Sequence, residues 1–346
     1  MVLNRGKVEE DTKYHWNVLQ IAAKQGHVEV VRLLLDYGAA TNAEMSFNRA
    51  ALHIAAKYGY LEVVRLLLDR RAAITSKDHA GQTVLHQAAK HGLLLDRGAE
   101  ITAADHANRT TLHFAVQSGY LEVVRLLLHR RATIEAESRP DGTAPHIAAD
   151  YGYVEVVRLL LHRGAKITAV DYANQTALHI AAAGGYLEIV KTLLDRGAAI
   201  DSKANDGLTA LDLTLENTHP DVVKLLLSRG ASINARTENG WTTLHLAVQD
   251  GRAKVFGVLP KQHPAIEART NDGWTPLHVA ARYGRRVVVS LLLKQRASVK
   301  AITNDGRTAL RLAASYEHAD VCRLLRGTGA LRPFMRLINK SDNVDM

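Results

Sequence analysis

The sequence predicts an all-α repeat solenoid, built from pairs of short antiparallel helices joined by projecting, β-hairpin-like loops. Three observations predict it. His113, His146, His179, Asp212, His245, His278 and Arg311 stand in equivalent places 33 residues apart, as do Gln20 and His53, and a period of 20 to 50 residues marks repeat architectures. Within each period the apolar residues form two short runs at helical spacing. Apolar residues make up 47% of the chain but aromatic residues only 5%, so the interior is Ala, Leu, Val and Ile, which suits thin, closely packed helices.

The first element of each period is an inner helix. In Thr176-Ala-Leu-His-Ile-Ala-Ala, Leu178, Ala181 and Ala182 follow the i, i+3, i+4 spacing of one face, and Thr176 is its N-cap. The second element is the run YLEIVKTLLDRGA, where Ile189, Val190, Leu193 and Leu194 share a stripe and Gly197 takes the left-handed closing position. Between periods lie Asp206-Gly207, Asn239-Gly240, Asp272-Gly273 and Asp305-Gly306, dipeptides that favour tight turns with positive φ. Helices of about ten residues fall short of the ~12–15 needed for marginal independent stability. Each pair must therefore bury its apolar faces against neighbouring pairs.

The stretches NDGWTPLHVAARYG (271–284) and GHVEVVRLLLDYGA (26–39) resemble ankyrin repeats. About ten such units cover residues 12–335, between an N-terminal extension (1–11) and a polar C-terminal tail (336–346). The resemblance implies an L-shaped stack whose inner helices and loop fingers form a concave groove, with the outer helices on the convex back. It also implies that each recurrent His braces the Thr cap and that the groove binds another protein. A length of 346 residues would strain one globular core; an array escapes that limit.

The third repeat, 78–103, is irregular. Leu85 and Leu112 are 27 residues apart, and the equivalent of YLEVVR at 120–125 is missing after Gly92. A tolerated deletion, an error in the inferred coding sequence and a deliberate hinge are the three readings. Softer places elsewhere are Arg71, Arg131, His263 and Arg296, which replace the closing glycines, Gly257 and Pro260 inside the eighth outer helix, and Pro145 at a core Leu position.

The sequence offers no assembled chemistry. The 17 histidines include none at the HExxH spacing of zinc sites, and no GxGxxG or GxxxxGK[ST] pattern follows a strand. The lone Cys322 excludes an intramolecular disulfide framework. No catalytic residue, metal or cofactor is expected. The start of the chain lacks a secretory signal and no window reaches the roughly 18 apolar residues of a membrane span, so a soluble, monomeric protein of the cytoplasm or nucleus is expected. The net charge of +9 raises nucleic acid or anionic membrane as partners. Much of it lies on outer helices where Glu62 and Arg65, Glu122 and Arg125, and Glu155 and Arg158 are i, i+3 neighbours; Arg130, Arg131, His162 and Arg163 are the least compensated.

Function is therefore read as a non-catalytic scaffold that binds another protein. The alternatives are a basic back that recruits nucleic acid or anionic membrane, and a sensor arm of a larger protein. The resemblance to ankyrin repeats implies that groove positions are the finger tips and the two residues after the paired alanines (or their equivalents) of each inner helix. Trp241, Trp274, Arg282 and Tyr283 combine the residue types that dominate interface hot spots; Lys57, Tyr58, Lys90, His91 and Tyr151 are the further candidates.

Overall fold

The computed structural model describes residues 17–43, 49–92, 99–139, 141–217, 219–251 and 265–327. The expected extension at 1–11, the shortened outer helix at 93–98, the eighth outer helix with Gly257, Pro260 and His263, and the tail at 336–346 lie outside them. The described residues form 18 α-helices and no strand, an all-α repeat solenoid that divides into two units, residues 1–177 and 178–346.

Helices are numbered in chain order. In the N-terminal unit the inner helices are α1 (Val18–Gln25), α3 (Ala51–Lys57), α5 (Val84–Ala89), α6 (Thr111–Gln117) and α8 (Ala144–Asp150). Its outer helices are α2 (Val28–Asp36), α4 (Leu61–Asp69), α7 (Leu121–His129) and α9 (Val154–His162). Inner packs on inner and outer on outer: α1, α3, α5, α6 and α8 touch in sequence, as do α2 with α4 and α7 with α9. In the C-terminal unit the inner helices are α10 (Ala177–Ala183), which starts at the unit boundary, α12 (Ala210–Asn217), α14 (Thr243–Gln249), α15 (Pro276–Arg282) and α17 (Ala309–Ser315). The outer ones are α11 (Leu187–Asp195), α13 (Pro220–Ser228), α16 (Arg286–Lys294) and α18 (Ala319–Gly327). Here α12, α14, α15 and α17 are successive neighbours, with α11 on α13 and α16 on α18.

The inner helices α3, α5, α6 and α8 bury almost everything they carry. Leu52, Ala55, Ala56, Leu85, Ala88 and Ala89 have no more than 1% of their surface exposed, and small side chains let the helices approach closely. The outer helices bury one stripe, such as Val63, Val64 and Leu67, and expose the i, i+3 pairs Glu62–Arg65 and Glu155–Arg158 at 3.1 and 2.8 Å. Pro145 does no harm to α8, because it sits in the first turn, where no intrahelical donor is lost.

Periodic polar bonds join one repeat to the next. His86, His113, His146, His245 and His278 accept the backbone N–H of the Thr cap three residues earlier on Nδ1, at 3.0–3.2 Å. An N–H can only donate, so Nδ1 is unprotonated and Nε2 carries the proton. Nε2 donates to a carbonyl 23 or 29 residues on, as in His86 to Arg109 (3.1 Å), His113 to Ala136 (3.0 Å), His278 to Ala301 (3.0 Å) and His245 to Trp274 (3.0 Å). The expected bracing role of the His is present and reaches further, into the following repeat. Gln20 reproduces it in the first repeat: Oε1 accepts from Asn17 N, and Nε2 donates to Ala43 O and Arg49 O. Asp212 reproduces only half. Its Oδ2 accepts from Thr209 N and Oγ1, while Oδ1 is buried and without a hydrogen-bond partner among the described residues.

A second set of bonds starts at the residue before the outer helix. Tyr153 Oη, His219 Nε2, Arg285 Nε and His318 Nε2 donate to the carbonyls of Gln117, Ala183, Gln249 and Arg282, each 36 residues earlier. Space for this contact comes from glycine: a Cβ on Gly119, at φ +73°, would stand 2.8 Å from the Tyr153 ring. In the fingers, Gly207, Gly240, Gly273 and Gly306 hold φ between 72° and 79° as the turn requires, and Asn108 and Asn174 take the same region at 60° and 57°. Isolated antiparallel bridges such as Ala104 with Thr110 and Arg236 with Thr242 close several fingers, which is the extent of their hairpin character. Arg71, Arg131 and Arg296 do adopt the left-handed conformation of the glycines they replace, at φ 63°, 63° and 67°.

Candidate functional site

Four of the candidate residues lie in the C-terminal unit. Helix α15 ends at Arg282, and Tyr283 follows as its C-cap, so both project from the turn after the inner helix. Trp274 stands on the preceding finger, just before the Thr275 cap, where Thr270 Oγ1 accepts its backbone N–H at 3.1 Å. Three aromatic rings surround the Arg282 guanidinium: Trp274 at 5.2 Å, Tyr316 at 5.3 Å and Tyr283 at 5.7 Å, all within the range of cation–π attraction. Trp241 does not join them. It packs on its own His245 with centroids 5.8 Å apart, and Trp274 has the same relation to His278 at 6.5 Å.

Tyr316 is the member that sequence reasoning missed. It occupies in the last repeat the place Tyr283 occupies one period earlier, so the spacing of 33 was the signal. The fingers beneath are held in register by Lys203, Arg236 and Arg269, which donate to the carbonyls of Arg236, Arg269 and Ile302 at 2.7–2.9 Å. Asn271 and Asn304 add side-chain bonds to Glu238 O and Asn271 O at 2.9 Å. A Trp carried by such a finger is placed with little freedom left to lose.

The remaining candidates lie in the N-terminal unit and do not converge on one another as tightly. Tyr58 is exposed, stacks on Tyr60 at 6.3 Å and receives Lys57 at 5.8 Å. Tyr151 stacks on Tyr153 at 5.8 Å and accepts a hydrogen bond from Gln117 Nε2. His91 is exposed and packs against the turn at Gly59. Lys90 is half-buried, with Nζ 4.5 Å from the Phe114 centroid and 3.4 Å from Gln82 Oε1; burial first, then Arg109, lowers its pKa. Arg109 covers Phe114 at 4.7 Å and pairs with the buried Asp105 at 2.9 Å. Lys90 is thus tied into a structural network in which Gln87 and Gln82 also take part.

The recurrent histidines are structural. Burial lowers the pKa of His86 and His245 to about 4, and it lowers His113, His146 and His278 in the same direction. Among the described residues no group of three His, Cys, Asp or Glu side chains could hold a metal ion, and no helix is long and apolar enough to cross a membrane.

Cap, paired helices, glycine-closed outer helix and finger together define a repeat module. The sequence model for ankyrin repeats (3 copies) matches residues 2–78, 72–138, 134–204, 198–267 and 244–331. The chain belongs to the ankyrin repeat family, whose members are in general protein-interaction modules. No curated protein matches it.

Proposed function

We propose that this chain is a non-catalytic scaffold that holds one partner protein in the groove of its ankyrin repeats, with Trp274, Arg282 and Tyr283 as anchors. The observation that carries this reading is the clustering of Arg282 with Trp274, Tyr283 and Tyr316 on the turn and finger row. Aromatic and arginine side chains supply most of the energy in protein interfaces, because they cover large areas at little entropic cost. The test is the pair Trp274→Ala and Tyr283→Ala. Capture of the partner should weaken by at least ~2 kcal/mol, while helical content and melting temperature stay close to wild type. Unchanged capture by the folded double variant moves the site to Lys57, Tyr58, Lys90 and His91.

One observation favours a second reading. Arg70 pairs with Asp36 at 2.6 Å and Arg229 with Asp195 at 2.8 Å along the outer row, but His129 takes the equivalent acidic place before Arg163. That leaves His129, Arg131, His162 and Arg163 as an exposed basic stretch for an anionic partner. Affinity through it would fall steeply, by roughly 10³-fold or more between 50 and 200 mM salt if six or more phosphates were contacted; a groove complex would not.

A further inference from the structure

Arg282 is held in a different way from many arginines of its unit. Arg229 pairs with Asp195, Arg307 with Asp305, and Arg236, Arg269 and Arg285 donate to backbone carbonyls. Arg282 is held by three ring faces, and among the described residues its side chain has no salt bridge and no hydrogen bond. A guanidinium has five N–H donors around its edge and none on its faces. Packing therefore fixes the group in place and leaves the donor edge without an acceptor. The backbone beneath it is tied down as well, since Arg282 O accepts from His318 Nε2 at 2.8 Å.

The sign of the neighbours narrows what can fill that edge. In the turns following α14, α15 and α17, Asp250, Tyr283 and Tyr316 are successive equivalents, and Glu317 follows Tyr316 in a left-handed conformation at φ 60°. Acids thus stand beyond the aromatics on both sides of Arg282, and all four of these residues are exposed. A polyanion such as single-stranded RNA meets Glu317, and the ring faces covered by Arg282 are closed to its bases. One carboxylate on an otherwise uncharged or cationic segment meets a matched cation with an acid alongside.

We infer that Arg282 is the receptor for a single carboxylate, an Asp or Glu side chain within a linear segment of the protein partner, lying across Trp274, Tyr283 and Tyr316. This rests on the reading above that the partner docks on this row. A planar guanidinium and a carboxylate make two parallel N–H···O bonds, and aromatic walls exclude the water that would weaken them. Because the guanidinium is already positioned, little side-chain freedom is lost on binding.

The test uses the full chain and a random library of 12-residue peptides, selected on wild type and on Trp274→Ala/Tyr283→Ala. Peptides that bind wild type and lose affinity on the double variant should share an Asp or Glu. Changing that residue to Asn or Gln should cost roughly tenfold in affinity on wild type and almost nothing on Arg282→Gln, whose helical content checks its fold. Peptides that need Trp274 and Tyr283 but bind Arg282→Gln equally well overturn the carboxylate and leave the docking site standing. A library with no binder sensitive to the double variant overturns both. Arg282-dependent binding of a 12-nucleotide uridine RNA tighter than that of any selected peptide overturns the inference in favour of nucleic acid.

Discussion

Lowering the pH from 7 to 5 should loosen the array through its buried histidines, and the amount follows from the structure. Each Nδ1 already accepts the Thr cap N–H and each Nε2–H already donates to the next repeat, so a second proton on Nδ1 must break the bond from the Thr N–H and leaves only the Thr Oγ1, 2.8 Å away, to accept it. Burial accordingly lowers His86 and His245 from 6.5 to about 4. In the unfolded chain both titrate near 6.5. The unfolded state therefore binds more protons between pH 6.5 and 4, and stability present above that window is lost as pH falls through it. At pH 5 the loss is about 2 kcal/mol for each of the two, before His113, His146 and His278, which shift the same way, are added.

The perturbation that isolates the cause is already written in the first repeat. Gln20 makes both bonds with an amide that does not titrate, so His86→Gln and His245→Gln should keep the cap and the inter-repeat bond at pH 7. Urea unfolding followed by far-ultraviolet circular dichroism at pH 7 and pH 5 measures the difference. Each substitution should leave stability at pH 7 within about 1 kcal/mol and remove about 2 kcal/mol of the acid-induced loss. An equal loss in the double Gln variant and in wild type would refute the reasoning, because the protons would then be entering elsewhere.

Three further outcomes follow from local features. Burial raises the pKa of Asp212 and its Oδ1 has no hydrogen-bond partner among the described residues, so its contribution is present at low pH and is lost as pH rises above the ordinary carboxylate range. Asp212→Asn should raise stability at pH 7 by about 1 kcal/mol, and a lower urea midpoint would count against this. Arg71→Gly, Arg131→Gly and Arg296→Gly should each stabilise by about 0.5–1 kcal/mol, since the left-handed backbone itself is the cost and a Cβ at the equivalent Gly38, Gly164 or Gly230 meets nothing within 4 Å; thermal melts check it. Inserting Tyr-Leu-Glu-Val-Val-Arg after Gly92 should raise the denaturation midpoint by restoring a nearest-neighbour interface, and an equal or lower midpoint would contradict it.

What could be read from the sequence was whatever repeats with the same residue. Thr caps, His braces, closing glycines and the Asp-Gly and Asn-Gly turns recur in most repeats, so the helix pairs followed directly, as did the left-handed Arg71, Arg131 and Arg296 at closing-glycine positions. The bond before each outer helix was not legible, because Tyr153, His219, Arg285 and His318 make it with different chemistry. The site was half legible. Identity of type singled out Trp241 and Trp274 together, but which rings share one cation depends on the direction each side chain takes, and that separated Trp241 and brought in Tyr316.

The reach of the bonds between repeats has a consequence for how the protein is made. Every side-chain hydrogen bond described spans 36 residues or fewer, so contact order stays low however long the array grows, and low contact order goes with rapid folding. A nascent chain can complete one repeat as soon as the next has left the ribosome, synthesis proceeding at about 5–20 residues per second. Exposed apolar surface is then confined to the newest edge for a few seconds at a time, and the growing protein never has to wait for its far end to find its beginning.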